Sequence, residues 1–187
     1  MQEAKVTVVI PNYNGIKYIR GCMDSLRNQK DICFDILVID NASKDGSLEI
    51  LQQEYQEARV IALEENTGFC HAVNLGIKES NTPYVILLNN DTEVKPGFVQ
   101  ALLAAIEKSD SIFSVSSMML SMEDENVIDD AGDGYSLLGW AYARGKGRTV
   151  CKYEKPVDIL RLAVVRLFTE SLFLMKSDIL MKYILLI

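Results

Sequence analysis

An apolar run that ends in an acidic turn is the strongest chemical signal in the sequence. Residues Tyr84–Leu88 are apolar and are followed at once by Asn89, Asn90 and Asp91. Such a run predicts a buried strand that stops where the polar residues begin. A carboxylate fixed just past a strand can hold Mg²⁺ or Mn²⁺ against a diphosphate, because hard cations prefer oxygen ligands. We therefore predict that Asp91 lies at a metal site.

Three more polar clusters follow predicted strands in the first half of the chain. The strands and the clusters after them are Val6–Ile10 with Pro11–Gly15, Asp35–Ile39 with Asp40–Ser47, and Arg59–Leu63 with Glu65–Gly68. Apolar residues at helical spacing come after each cluster, so strand and helix alternate along the chain. This alternation predicts an α/β fold with a parallel sheet covered on both faces. Ligands of such sheets bind beyond the carboxyl ends of the strands, where all four clusters lie.

Individual residues in these clusters allow more than one interpretation. The carboxylate of Asp40 can accept hydrogen bonds from a nucleotide base or from ribose hydroxyls, but Asp is equally common as the cap of a turn. Gly68 precedes a predicted helix whose free N–H groups can face a phosphate or a base. Asn74 lies two turns into that helix, and a polar role explains it better than the low helix propensity of Asn.

Taken together and in this order, the four clusters resemble family 2 glycosyltransferases of the GT-A fold. The likeness is greatest to rhamnosyltransferase-like members, which build bacterial surface polysaccharide. It extends over roughly residues 5–158. The resemblance implies a GT-A nucleotide-diphospho-sugar transferase fold, a Rossmann-like α/β/α sandwich with a mostly parallel sheet, incomplete at its C-terminal side.

The resemblance also implies a reaction and a set of site residues. The expected activity is inverting, metal-dependent transfer of a sugar from a dTDP- or UDP-sugar to a hydroxyl of a glycan or lipid-linked acceptor. Mg²⁺ or Mn²⁺ would be held by Asp91 and Asn89. The residues expected to bind the nucleotide sugar are Pro11, Tyr13, Asn14, Asp40, Asn66, Gly68, Asn74 and Asn90.

The family's catalytic base is expected in a segment that this chain does not show in plain form. That base follows the fifth strand of the family, whereas the acidic pair Asp129-Asp130 comes too early in the chain. We therefore predict no catalytic base here and low or no activity. The alternative function is a non-catalytic, truncated remnant that binds nucleotide only.

The end of the chain departs abruptly from the family pattern. Residues Leu174–Lys182 read LMKSDILMK. With permitted codons, a shift by one nucleotide turns this stretch into Phe-Asp-Glu-Ile-Gly-Tyr-Phe-Asp-Glu, which resembles the missing segment. The sequence thus predicts a frameshift after about residue 160, and the alternative is a divergent amphipathic helix.

Composition sets broader limits on function. The 187 residues predict one domain, with a nucleotide-sugar half at 5–110, the start of an acceptor half at 111–160 and an atypical tail at 161–187. A net charge of −7 argues against a nucleic-acid partner. The segment Ser121–Arg148, with Trp140 and Tyr142, predicts either an aromatic surface for a sugar or a solvated loop, with equal weight.

The cysteines and the N-terminal sequence predict the compartment. None of the four cysteines forms a C-x-x-C pair, so reduced, buried thiols in a reducing compartment are expected. The chain shows neither a signal-peptide pattern nor a long apolar run. These features predict a cytoplasmic protein. Peripheral association with the inner face of the cell membrane and assembly into a homo-oligomer stay open alternatives.

Overall fold

The computed structural model describes residues 3–30, 32–135, 140–153, 155, 157 and 183–186. The proposed frameshift and almost all of the atypical tail therefore lie outside the described residues. The described residues divide into two compact units between Val115 and Ser116, and residues 183–185 belong to the first. The single-domain interpretation of the sequence stays a prediction.

Strands and helices alternate through the first unit, as the apolar spacing predicts. The elements in chain order are β1 (Val6–Asn12), α1 (Ile19–Arg27), β2 (Asp35–Asp40), α2 (Ser47–Glu54), β3 (Arg59–Ala62), α3 (Phe69–Glu79), β4 (Tyr84–Leu87), α4 (Phe98–Ile106), β5 (Ser114–Ser116), β6 (Met119–Leu120), β7 (Ile128–Asp130), β8 (Asp133–Tyr135), β9 (Ala141–Ala143), a 3₁₀ turn (Val150–Lys152) and β10 (Tyr183–Leu186). The largest sheet has the strand order β3-β2-β1-β4-β10-β5. Strand β1 pairs in parallel with β2 and β4, and β2 pairs in parallel with β3. The expected mostly parallel α/β fold is confirmed.

Strand β1 is the central buried strand of this parallel group. Residues Val6–Ile10 are each no more than 2% exposed. A strand covered on both faces reads as a continuous apolar run instead of an alternating one, which is the pattern of this segment. The one hydroxyl in the run, that of Thr7, forms a hydrogen bond of 2.7 Å with the hydroxyl of Thr82. Burial of β1 therefore leaves no polar side chain of the run unsatisfied.

The order of the strands creates a crevice at the end of β1. Strand β2 lies on one side of β1 and β4 lies on the other, so the chain reverses its direction of travel across the sheet at this point. The loops after β1 and β4 leave the sheet at this switch point, and open α/β sheets bind their ligands in such crevices. The predicted residues Pro11–Gly15 and Asn89–Asp91 belong to these two loops.

Helix α1 holds the loop that follows β4. Cys22 and Ser25 belong to this helix, and Gln29 follows its C-terminal end. The Sγ atom of Cys22 lies 3.7 Å from the carbonyl oxygen of Asn89, and the Ser25 hydroxyl oxygen accepts a hydrogen bond of 3.0 Å from the N–H of Val94. The Gln29 amide donates to the carbonyl of Lys95 at 3.0 Å. Two contacts from α1 and one from the turn after it thus hold the segment that follows β4.

The second unit contains small antiparallel pairs. Strand β6 pairs with β7, and β8 pairs with β9. The residue types of Ile112–Leu120 predict a further strand. The structure contains two short strands there, β5 and β6. Trp140 is 74% exposed and Tyr142 is 57% exposed. Both interpretations of this aromatic segment therefore stay predictions.

The helices were compared with the length and composition that a bilayer span requires. Among the helices of the described ranges, none combines enough residues with enough apolar character to cross a membrane.

The close approach of α3 to β1 gives a test of the fold. A Cβ atom at Gly76 would overlap Cγ1 of Val9 in the middle of the buried strand. Alanine stabilises an exposed helix position by about 1 kcal/mol relative to glycine, but overpacking a core costs about 1–3 kcal/mol. We therefore expect Gly76→Ala to lower the free energy of unfolding in urea. Lys78→Ala, at an exposed position of the same helix, is the control and should change stability little; a stabilised Gly76→Ala variant would contradict the packing described.

Candidate functional site

A cavity of about 420 Å³ opens at the carboxyl ends of β1, β2 and β4. Its walls come from the four loops whose sequences carry the polar clusters. The lining residues are Pro11, Asn12, Tyr13, Asn41, Asn66, Gly68, Phe69, Asn89, Asn90 and Asp91. The structure thus brings together residues that are up to 80 positions apart in the sequence, from Pro11 to Asp91.

Most of the predicted site residues line this cavity. They are Pro11, Tyr13, Asn66, Gly68, Asn89, Asn90 and Asp91. Tyr13 is 50% exposed, so its ring is accessible to a ligand. Three predicted residues, Asn14, Asp40 and Asn74, are not among the lining residues. The ligand contacts assigned to all ten stay predictions.

Asp40 is fully buried, with 0% of its surface exposed. Its Oδ1 atom accepts a hydrogen bond of 2.8 Å from the side-chain amide of Asn12, and its Oδ2 atom accepts one of 3.0 Å from the N–H of Ser43. A buried carboxylate needs such partners, because loss of water around a charge is costly. The bond to Ser43 is the turn-capping role that the sequence left open beside ligand contact.

Asn14 and Asn74 lie near the cavity without lining it. The amide oxygen of Asn14 accepts a hydrogen bond of 2.9 Å from the N–H of Lys44, and the N–H of Asn14 donates to the Ser43 hydroxyl at 3.0 Å. Asn14 therefore ties the loop after β1 to the loop after β2. Asn74 is half-buried within α3.

Sequence reasoning missed three lining residues, Asn12, Asn41 and Phe69. The Asn41 amide donates to the side-chain oxygen of Asn66 at 2.9 Å, and the Asn41 oxygen accepts from the N–H of Thr67 at 2.9 Å. These bonds join the loops after β2 and β3. Asn12 lies at the end of an apolar strand and Asn41 just past one, and that position was the signal that could have identified them.

Asp45 fixes the start of α2 and the loop after β1. Its carboxylate accepts hydrogen bonds from the N–H of Ile16 at 2.8 Å and from the N–H of Ser47 at 3.0 Å. Partial burial opposes ionisation, but the Ser47 hydroxyl and these backbone N–H groups outweigh it and hold the pKa of Asp45 below its ordinary value. The negative charge at this helix start also suits the helix dipole.

The donor set at the mouth of the cavity is small. Asp91 and Asn89 are exposed there, and Asp91 is the one carboxylate among the lining residues. Within the part of the chain that the structure describes, no group of three or more His, Cys, Asp or Glu side chains could hold an ion. Mg²⁺ binds through one or two protein oxygens while diphosphate oxygens and water fill its other positions. The residues present fit that mode of binding and not an all-protein cage.

The cysteines differ in exposure more than the sequence predicts. Cys33 and Cys151 are exposed and Cys70 is half-buried. The prediction that all are buried is therefore wrong, and Cys22 alone fits it at 1% exposure. Burial, together with the negative charges of Asp91 and Glu93, raises the pKa of Cys22 to about 12.

Thiol labelling tests this environment of the acidic turn. At pH 8 we expect Cys33 and Cys151 to react quickly with a thiol-specific reagent, because the nucleophile is the thiolate. Cys22 should react slower by orders of magnitude, since both its pKa and its burial oppose the reaction. Mass spectrometry of tryptic peptides over time gives the three rates from one sample. Equal rates at Cys22 and Cys33 would show that the contact of α1 with the acidic turn is not formed.

Comparison with known proteins identifies relatives of the chain. The family model described as glycosyl transferase family 2 matches residues 7–162. The teichoic acid poly(glycerol phosphate) polymerase of Staphylococcus epidermidis is 28% identical over 114 residues, which are 59% of this chain and 16% of that protein. The putative teichuronic acid biosynthesis glycosyltransferase TuaG of Bacillus subtilis is 28% identical over 127 residues, covering 66% of this chain and 50% of TuaG. The chain therefore spans half or less of the length of these relatives.

Solved structures agree with the sequence relatives. Residues 1–349 of S. aureus TarS in complex with UDP superpose with a TM-score of 0.58 at 25% identity, over 64% of this chain and 37% of TarS. The same values of TM-score and identity hold for TarS in complex with UDP-GlcNAc. The expected GT-A-type fold is thus confirmed, and the family match covers most of the chain. The chain belongs to glycosyl transferase family 2.

Proposed function

We propose that the cavity binds a nucleotide diphosphate sugar together with a divalent cation. The observation that carries this proposal is the position of the cavity at the switch point of the sheet, with Asp91 and Asn89 at its mouth. UDP and UDP-GlcNAc are the ligands named for TarS, which supports a uridine nucleotide. A dTDP-sugar, with rhamnose as the sugar, is the second candidate and rests on the sequence resemblance.

In this proposal each loop has a separate task. Tyr13 offers an exposed ring to the base, and Asn66 and Gly68 line the same cavity. Asp40 would contact the base or the ribose directly if the ligand displaced its hydrogen bond to Asn12. Asp91 would hold Mg²⁺ or Mn²⁺, and the cation would stabilise the negative charge that develops on the departing diphosphate.

The reaction proposed for a protein with the complete family pattern is inverting transfer of the sugar to a hydroxyl of a glycan or lipid-linked acceptor. The two named relatives act in teichoic and teichuronic acid synthesis, which supports a role in bacterial surface polysaccharide synthesis. Such acceptors are found at the inner face of the cell membrane, so the proposed location is the cytoplasm at that face. Inversion requires a base that takes the proton of the acceptor hydroxyl.

Both acidic residues of the early pair, which come too early in the chain for the family's base, already make polar contacts within the protein. Asp129 lies 3.3 Å from Lys146 in an ion pair, and Asp130 accepts a hydrogen bond of 2.8 Å from the N–H of Gly132. We therefore propose that this chain binds the donor and has low or no transferase activity. The second candidate function, nucleotide binding without catalysis, has the same support.

Calorimetry with UDP, dTDP and GDP, each with and without Mg²⁺, tests the donor site. We expect one diphosphate to bind and Mg²⁺ to strengthen its binding. Asp91→Ala should abolish the effect of Mg²⁺ and leave the fold intact, because Asp91 is exposed in a turn. Asp110→Ala removes an exposed carboxylate that does not line the cavity and should bind as the wild type does. Absence of heat with all three nucleotides would refute the donor site.

Turnover separates the two candidate functions. Release of nucleotide diphosphate from the donor, with a crude lipid acceptor, should stay at least two orders of magnitude below about 1 per second. Positioning of the acceptor is also expected to be lost, which lowers the rate further. Turnover near 1 per second by this chain would contradict the prediction and would direct attention to Asp129 or Asp130 as the base.

A further inference from the structure

The side chain of Asn12 joins the two loops that flank the switch point of the sheet. Asn12 is 1% exposed and ends β1. Its amide nitrogen donates to Asp40 Oδ1 at 2.8 Å, and the Ser47 and Ser43 hydroxyl oxygens lie 3.0 Å and 3.1 Å from the same nitrogen. On its other side, the Asn12 oxygen accepts a hydrogen bond of 2.7 Å from the side-chain amide of Asn90. One buried amide thus links the loop after β2 with the loop after β4.

The carboxylate of Asp40 determines the direction of this chain of hydrogen bonds. An ionised carboxylate only accepts, so the atom of Asn12 that faces it has to be the nitrogen. The Asn12 oxygen then faces Asn90, and only the nitrogen of Asn90 can donate to it. The side-chain oxygen of Asn90 is consequently turned away from Asn12. Asn90 is one of the residues that line the cavity.

Gly15 is a second, independent sign that this link is closely fitted. A Cβ atom at position 15 would overlap both Oδ1 of Asn12 and Nδ2 of Asn90. Gly15 is itself buried, and its φ angle does not lie in the left-handed region. Glycine is therefore needed here for close approach to the hydrogen bond and not for the turn conformation.

We infer that Asn12 is a positioning residue that, under the control of Asp40, orients Asn90 to present a hydrogen-bond acceptor to the ligand. This inference rests on the proposed function, since it assigns a hydrogen-bond acceptor to one wall of the proposed donor site. An acceptor at Asn90 suits a hydroxyl group of the nucleotide sugar or a hard cation, whereas a phosphate oxygen needs a donor. Asn12 itself is 1% exposed, so it acts on the ligand through Asn90.

The orientation of Asn90 can be measured without a ligand. In ¹⁵N-labelled protein, the side-chain NH₂ signal of Asn90 is assigned by its loss in Asn90→Asp. We expect one of these two protons to exchange with water more slowly than the other. In Asn12→Ala its exchange rate should rise by about tenfold, the effect of losing one net hydrogen bond. Asn41→Ala is the matched control, because Asn41 is also a buried asparagine that follows a strand and lines the cavity. An Asn90 signal that is unchanged in Asn12→Ala would overturn the inference.

A reciprocal exchange tests the role of Asp40 directly. In Asp40→Asn alone, residue 40 can donate or accept, so the direction of the hydrogen bonds is no longer imposed and Asn90 should lose protection. In Asn12→Asp alone, two carboxylates face each other and the fold should be destabilised. The double variant Asn12→Asp/Asp40→Asn again places an acceptor opposite Asn90, and its protection should return. Failure of the double variant to restore protection, with the protein folded, would count against control by Asp40.

Ligand binding then shows whether the orientation matters for the proposed function. Two ratios of Kd are measured. The Kd of UDP without Mg²⁺ divided by its Kd with Mg²⁺ reports on a bound cation. The Kd of dUDP divided by the Kd of UDP reports on a ribose hydroxyl. We expect Asn90→Ala to reduce one of these ratios by about tenfold. Asn12→Ala should reduce the same ratio by the same factor. The double variant should show no further reduction of that ratio. A purely structural role would weaken all nucleotides alike and leave both ratios unchanged. If the wild type binds no nucleotide, the proposed function fails while the exchange measurements still decide the inference.

Discussion

The fully buried carboxylate of Asp40 is the constraint around which the site is arranged. A charge without contact to water has to be compensated by hydrogen bonds, and here the donors come from Asn12 and from the N–H of Ser43. Asn12 and Asp40 are register partners at the ends of two parallel strands. The next hydrogen bond of the ladder, from the N–H of Asn41 to the Asn12 carbonyl at 2.8 Å, extends the pairing past the strand ends. Asn12 and Asn41, at these paired strand ends, line the cavity.

The same constraint explains why the loops are held mainly by asparagine side chains. An asparagine side chain can donate a hydrogen bond to one loop and accept one from another. A carboxylate can only accept and a lysine can only donate. The side chains of Asn12 and Asn41 both donate and accept in this way and each joins different loops. Because their hydrogen bonds are satisfied within the protein, they order the cavity without adding net charge to it, which leaves Asp91 as the charged group among the lining residues.

Periodicity predicts the elements of the first unit well, since each apolar run is strong and is bounded by turn residues. The start of α1 is the main difference. Ile16 fits the helical spacing, yet it is 43% exposed and precedes the helix, because the carbonyl of Gly15 accepts the N–H groups of Tyr18 and Ile19 at 2.9 Å and forms a turn. The two short strands β5 and β6 within 112–120 could not be separated by composition, because they belong to different sheets: β5 lies beside β10 and β6 pairs with β7.

The candidate site was predictable in its location but not in its connections. Polar residues directly after strands identify the crevice, because the geometry of parallel sheets places all such residues at one edge. The link from Asn12 to Asn90 spans 78 positions, and no local pattern encodes it. The spacing of apolar residues predicts helix α1 but carries no signal for the contacts that Cys22 and Ser25 make with the segment after β4.

Ala42 adopts a φ angle of +61°, in the left-handed region that residues with a Cβ atom usually avoid. This conformation costs about 1–2 kcal/mol, and it persists because the neighbours on both sides are anchored, Asn41 to the loop after β3 and Ser43 to Asp40. The rim of the cavity is therefore preorganised at the expense of folding stability. A ligand that enters meets a wall that is already rigid, so little conformational entropy is lost on binding and more of the contact energy appears as affinity.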